Sequence, residues 1–330
     1  MATKRFYEID NLYAIGTLLV IFGHSHSSDW SRFDTTPLKH IILFIYTFHM
    51  PLFFIIAGFL FSNSNGLEKN GYIKWLADKA IKLLTPYVVV SMLSAVPKYY
   101  FEHHSFNGMA LSMVKGLFAP RLGVWGHFWF LPVLFLVYVI FGACKAIVKE
   151  VRIGGVAILV LVSGIIYFLP YGTEWLGIDD LKNSLLFFSI GMFVYELRLN
   201  DVKASTTNSI VVIIAGLATS IVLYRFCYEI KIVMLLSGLI MLLVCCLVAK
   251  LIGENATASW LSRNNFTIYI YSWPFQSIAM VICDKLTLPW FVMMVVMFGV
   301  GLFAPIVMIT IYREFKFINN RFFDLVLGVK

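Results

Sequence analysis

The chain has 330 residues, of which 60% are hydrophobic and 13% charged, with a mean hydropathy of +0.84 and a formal net charge of +8. A soluble globular domain is about half apolar and about a quarter charged, so this composition excludes an ordinary soluble fold. The positive charge follows the membrane and needs no nucleic acid to explain it. The apolar residues fall in blocks long enough to cross a hydrocarbon core about 30 Å thick, which takes roughly 20 residues of helix. In lipid each segment satisfies its own amides, and the alternation of a membrane barrel is missing, so the fold expected is an all-α transmembrane bundle.

The first block, about residues 10–28, follows a short polar start and is read as a retained span, because many more blocks come after it. His24 stands about 21 Å along that helix from Asp10, toward the outer part of the core, where an ionisable side chain is a functional candidate. A neutral imidazole suits the removal of a proton from a hydroxyl, so His24 is the candidate general base. His24-Ser25-His26-Ser27 also raises a metal site. Alternate histidines point to opposite sides of a helix and no third spaced ligand is evident, so no metal is expected.

The second block, about residues 39–62, contains His49 two residues before Pro51. Proline removes an amide and deprives the Thr47 carbonyl of its helical partner. Two readings stay open: a helix that opens toward a cavity at His49, or a kinked packing helix with a hydrogen-bonded histidine. Residues 71–82 are loosely amphipathic, with Tyr72, Trp75 and Leu76 on one face and Lys74 opposite, as in an interfacial helix. Lys79 and Lys82, three apart, share a face at the entry to the third block, about residues 83–100. They serve as positive-inside anchors, or as ligands for the phosphates of a cofactor.

A polar loop, residues 101–126, carries Glu102, His103, His104, Asn107, Arg121 and Trp125, and a loop that long is usually functional or disordered. His127 and Trp129 follow it. All seven histidines precede residue 128, and most fall on one side of the expected membrane, together with Asp29, Asp34 and Glu102. The remaining blocks are about residues 128–147, 153–170, 183–198, 208–226, 231–251, 264–283 and 288–311, which makes about ten spans in a single domain, 1–330. Five cysteines lie in or beside these blocks without zinc or redox spacing. With the N-terminus inside, 17 lysines and arginines fall on the cytoplasmic side and 9 opposite, which favours cytoplasmic termini in a multi-pass inner-membrane protein.

The order of several segments resembles the membrane-bound acyltransferase 3 family, and within it the polysaccharide O-acetyltransferases related to fucose 4-O-acetylase. The segments are Ile9-Asp10-Asn11-Leu12-Tyr13-Ala14-Ile15 through Gly23-His24, Phe48-His49-Met50-Pro51-Leu52-Phe53-Phe54 through Gly58-Phe59-Leu60, Lys82-Leu83-Leu84-Thr85-Pro86-Tyr87, His127-Phe128-Trp129-Phe130-Leu131-Pro132, and Ile268-Tyr269 to Ser272-Trp273-Pro274. His24 stands where the family has its first-span histidine. Tyr13 stands where the family has an arginine, Lys79 and Lys82 where it has paired basic residues, and Ala57 where serine often precedes the glycine.

The resemblance implies transfer of an acyl group, usually acetyl from acetyl-CoA, to a hydroxyl of a cell-surface or lipid-linked saccharide. In that reading Lys74, Lys79 and Lys82 receive the CoA phosphates, and His24 deprotonates the acceptor. His49 or Tyr13 orients the base or stabilises the oxyanion, and His127, Trp129 and Arg121 order the sugar. An acyl-histidine intermediate is the variant mechanism. The alternatives are a transporter or flippase for a lipid-linked saccharide or other polar solute, and an inactive sensor that kept the fold. Against transport, the later spans hold no acidic relay and the chain shows no internal repeat.

Overall fold

The computed structural model describes residues 6–26, 36–123, 126–148, 153–170, 172–198, 205–315 and 321–329, with the backbone alone at 98, 101–103 and 315. Every regular element among them is helical. In chain order these are α1 (Tyr7–Gly23), α2 (Pro37–Tyr46), α3 (His49–Asn63), α4 (Gly66–Asn70), α5 (Tyr72–His103), α6 (Met109–Phe118), α7 (Phe130–Val148), α8 (Ile153–Phe168), α9 (Ile178–Glu196), α10 (Thr206–Cys227), α11 (Lys231–Ile252), α12 (Ala256–Lys285), α13 (Trp290–Phe315) and α14 (Arg321–Leu327). Short 3-10 turns stand at Pro120–Leu122, Gly126–Trp129 and Trp175–Gly177.

Seven segments among the described residues are long and apolar enough to cross a membrane: Pro37–Asn63, Tyr72–Pro97, Gly126–Val148 and the helices α10 to α13. Three expected spans fall short of that measure. α1 has 17 residues and α8 has 16, each about 25 Å long, while α9 has 19 but carries Asp179, Asp180, Lys182 and Glu196. The apolar character is turned outward on α10, where Val211 and Ile214 are exposed, and on α8, where Ile158, Leu161 and Ile165 are exposed, as lipid-facing helices require.

Two expected boundaries change. The block at residues 39–62 is broken at Thr47 and Phe48, so Pro51 is the third residue of α3 rather than a mid-helix kink. A proline in a first turn costs no helical bond, because those amides have no acceptor within the helix. The Thr47 carbonyl lies outside α3 and approaches α11 at Gly238, where an added Cβ would stand 3.1 Å from it. Conversely, residues 71–82 and the third block merge into one helix, α5, of 32 residues that contains Pro86 and Pro97.

By internal contacts the chain falls into two compact units, Met1–Phe53 with Val202–Phe317, and Phe54–Asp201 with Ile318–Lys330. In the first, α12 packs on α13, α10 packs on α11, and α1 lies against α11, α12 and α13. Two polar residues near the start of α1 fix that placement. Asn11 Nδ2 donates to the carbonyls of Ala249 and Gly253 at 2.7 and 2.8 Å, which satisfies groups at the end of α11 that no helical amide reaches. The Asp10 carboxylate accepts from Ser262 Oγ at 2.7 Å and Ser259 Oγ at 3.2 Å, near the positive end of α12.

In the second unit α8 packs on α9, α7 packs on α5 and α9, and α14 lies on α5. α3 meets α9 through two glycines: a Cβ on Gly58 would lie 2.0 Å from the Phe188 carbonyl oxygen, and one on Gly191 2.1 Å from that of Ile55. Such an approach is open only to residues without a side chain. The two faces expected of residues 71–82 differ in their surroundings, and the aromatic one packs on α7. Tyr72 donates to the Val139 carbonyl at 2.9 Å and Trp75 is buried against Gly142, while Lys74 is exposed.

Candidate functional site

α1 ends at Gly23, and His24 is the residue that closes it, with its amide bonded to the carbonyls of Ile21 and Val20 at 3.2 and 3.3 Å. Its ring lies on Trp273 of α12, with centroids 4.6 Å apart and planes at 47°. His26 lies against the same indole at 6.3 Å. The expectation that His24 and His26 point to opposite sides assumed a continuing helix; the chain has left it, so both rings reach one partner. No group of three or more His, Cys, Asp or Glu residues stands close enough to hold a metal ion among the described residues.

His49 is buried at the first position of α3. Its Nδ1 is 3.1 Å from the carbonyl of Ile45. A carbonyl only accepts, so this bond places the proton on Nδ1 and leaves Nε2 of the neutral ring as an acceptor. In that tautomer His49 takes a hydrogen bond and does not donate one to an oxyanion. Its ring lies 5.0 Å from that of Tyr46, whose hydroxyl donates to the carbonyl of Gly23 at 2.7 Å. Tyr46 therefore links His49 to the residue before His24.

Tyr13 is not brought to His24. The two lie on one helical face but three turns apart, about 16 Å along the axis, which removes Tyr13 from direct contact with the base. Its ring instead faces Phe53 at 6.2 Å. An open cavity of about 420 Å³ at the start of α1 is lined by Tyr7, Asp10, Glu254, Asn255, Ala256 and Ser259, and none of the expected site residues borders it.

The basic residues lie in the second unit. Lys79 sits over the ring of Tyr138 at 4.4 Å and near Trp75 at 5.6 Å, whereas Lys74 and Lys82 are exposed. Lys145 of α7 joins the same aromatic cluster. Its ammonium is 5.4 Å from the Phe61 ring and 3.3 Å from Glu68 Oε1, and Phe61 packs on both Trp75 and Tyr138.

Arg121 and Trp129 do come together, with the guanidinium 4.5 Å over the indole. Asp180 holds that guanidinium through two bonds of 2.6 and 2.7 Å. His127 occupies the same 3-10 turn as Trp129, its ring against Phe128. Asp29, Asp34 and Trp125 lie outside the described residues, as do the side chains of Glu102 and His103.

Tyr46, Trp273, Asp180 and the Asp10–Asn11 pair were not marked as site residues by sequence. The available signal was that Asp10, Asn11 and Trp273 stand within segments shared with the resembled family. Tyr46 and Asp180 carry no such mark, because their partners are set by packing.

A family model described as an acyltransferase domain, acyltransferase 3, matches residues 6–310. The chain is also similar to the nodulation protein NolL of Sinorhizobium fredii, with 25% identity over 202 residues, 61% of this chain and 51% of the relative. The chain thus matches about half the length of that curated relative. No solved structure matches. The family match opens just before α1 and closes within α13, so it takes in His24, His49 and Trp273 together with both lysines of α5 that the resemblance marked. The chain belongs to the acyltransferase 3 family of membrane proteins.

Proposed function

We propose that this protein is an O-acyltransferase of a bacterial inner membrane that moves acetyl from cytoplasmic acetyl-CoA to a hydroxyl of a cell-surface or lipid-linked saccharide. The observation that carries the reading is the setting of His24. A histidine at the end of an apolar helix is seated on Trp273, and its neighbouring carbonyl is tied by Tyr46 to His49, which is buried. An ionisable side chain within an apolar membrane segment is a candidate for function.

In the proposed reaction His24 takes the proton of the acceptor hydroxyl as its oxygen attacks the thioester carbonyl. The new C–O bond forms, the C–S bond breaks, and the CoA thiolate leaves with the proton that His24 held. His49, with its proton on Nδ1, offers Nε2 as an acceptor that orients a hydroxyl or a protonated neighbour. Tyr13, three turns away on the same face, is assigned to the approach along α1 rather than to the reacting atoms.

Lys74, Lys79 and Lys82 are proposed to receive the phosphates of CoA, since ammonium groups bind phosphate as point charges. Arg121, Trp129 and His127 are proposed to contact the sugar. The termini are assigned to the cytoplasm on the lysine and arginine bias.

The test is His24→Ala in membranes given radiolabelled acetyl-CoA. Label in the glycan fraction is expected to vanish while the protein remains in the membrane. Undiminished labelling by that variant ends the His24 reading, and glycan movement without CoA would place the protein among transporters instead.

A further inference from the structure

Gln276 is fully buried in α12, two residues past Pro274 and three past Trp273. Its Nε2 lies 3.0 Å from the Ile21 carbonyl, 3.2 Å from the Met297 carbonyl and 3.3 Å from Ser25 Oγ. An amide nitrogen carries two hydrogens, so these three acceptors share them. Ser25, also fully buried, donates its hydroxyl to the same Ile21 carbonyl at 2.9 Å. The Ile21 carbonyl in turn accepts from the His24 amide. One side chain of α12 thereby holds the two residues that flank the end of α1, and ties them to α13.

Space for it is made on the opposite side. A Cβ on Gly301 of α13 would stand 2.7 to 2.9 Å from Gln276 Cδ, Nε2 and Cγ. A buried amide is a poor packing residue, because whatever it leaves unbonded costs free energy that a leucine or methionine would not incur. Gln276 Oε1, and Ser272 Oγ one turn before it, have no hydrogen-bond partner among the described residues. Packing alone therefore does not account for glutamine at this position.

We propose that Gln276 is a positioning residue for His24, tying the end of α1 to α12 and α13 so that the imidazole is held on Trp273 in the orientation that acyl transfer needs. This rests on the reading of His24 as the base. The donors act on the backbone around His24 rather than on substrate, so their loss affects the orientation of the base and leaves binding of the acyl donor intact.

The experiment compares Gln276→Leu, Gly301→Ala and His24→Ala with the full-length parent in native membranes, using radiolabelled acetyl-CoA and the endogenous glycan. Gln276→Leu keeps the volume and removes both donor hydrogens. Its maximal rate per folded molecule is expected to fall about 10–100-fold, with the KM for acetyl-CoA unchanged. The acidic limb of its pH–rate profile, which reports the base, is expected to move.

Gly301→Ala pushes a methyl against the intact amide and is expected to give the same changes in smaller measure. If Gln276→Leu fails to accumulate, Gly301→Ala decides by the same two readouts. A purely structural role predicts less folded protein with an unmoved rate per molecule and an unmoved limb, and that result overturns the proposal. Wild-type labelling by His24→Ala defeats the reading beneath it, whereas an inert His24→Ala beside wild-type behaviour in the other two variants defeats only the positioning role.

Discussion

The hydroxyl of Tyr46 donates to the carbonyl of Gly23 at 2.7 Å, one residue before His24, while the Tyr46 ring packs 5.0 Å from His49. Gly23 is fitted to that contact, since a Cβ there would stand 2.7 Å from Tyr46 Cε1. The carbonyl is that of the last residue of α1, which no amide within the helix reaches.

Tyr46→Phe removes the donor and keeps the ring. The expected loss is about 1 kcal/mol, or roughly a fivefold fall in transfer rate if the whole loss falls on the orientation of His24. Acetyl transfer per folded molecule measures it. An unchanged rate would show that the α1 end is held adequately without Tyr46.

The glycine crossing of α3 and α9 sets a sharper limit. Gly58→Ala brings a methyl to 2.0 Å from a backbone oxygen, which no rotamer change relieves. The cost expected is at least about 2–3 kcal/mol, seen as loss of the monodisperse folded species in detergent. Gly154→Ala in α8 is the control, because nothing lies within 4 Å of its added Cβ. It should leave folding unchanged or slightly improved.

If Lys79 and Lys82 receive CoA phosphates, then Lys79→Gln and Lys82→Gln should each raise the KM for acetyl-CoA by about 5–30-fold. Neither should alter the KM for acetylpantetheine, which lacks those phosphates. Equal effects on both donors would assign the lysines to packing or membrane anchoring instead, a role that the Tyr138 and Trp75 contacts of Lys79 also suit.

Arg121 is already engaged by Asp180, and half of its side chain is exposed. A double-mutant cycle on the pair should give a coupling no larger than about 1 kcal/mol, because solvent screens it. Arg121→Ala is expected to raise the apparent KM for the glycan about tenfold while leaving that for acetyl-CoA alone. A fall in stability with an unaltered glycan KM would make the Arg121–Asp180–Trp129 stack a structural clasp.

Asn11→Ala tests the anchor of α1. Two carbonyls at the end of α11 lose their donor, at an expected cost of about 1–3 kcal/mol in thermal unfolding. A melting temperature unchanged from the parent would mean that water or a neighbouring amide takes over both oxygens.

By itself the sequence determined the solvent and the all-helical class. A peptide group in hydrocarbon bonds within its own helix, so each apolar block is legible from about 20 consecutive residues without reference to any other. The same local logic marked His24 as an ionisable group in an apolar span, and set Lys74 apart from the Trp75 face. It failed wherever an answer depended on a partner far along the chain. The break at Thr47 and Phe48 and the continuity of α5 through two prolines show only in the folded chain, whereas the distance from Tyr13 to His24 follows from the rise of one helix. Only the tertiary structure placed Trp273 and Gln276 at the end of α1, some 250 residues away. Hydrogen bonds and ring contacts between spans act across the bundle, where spacing along one helix carries no record of them.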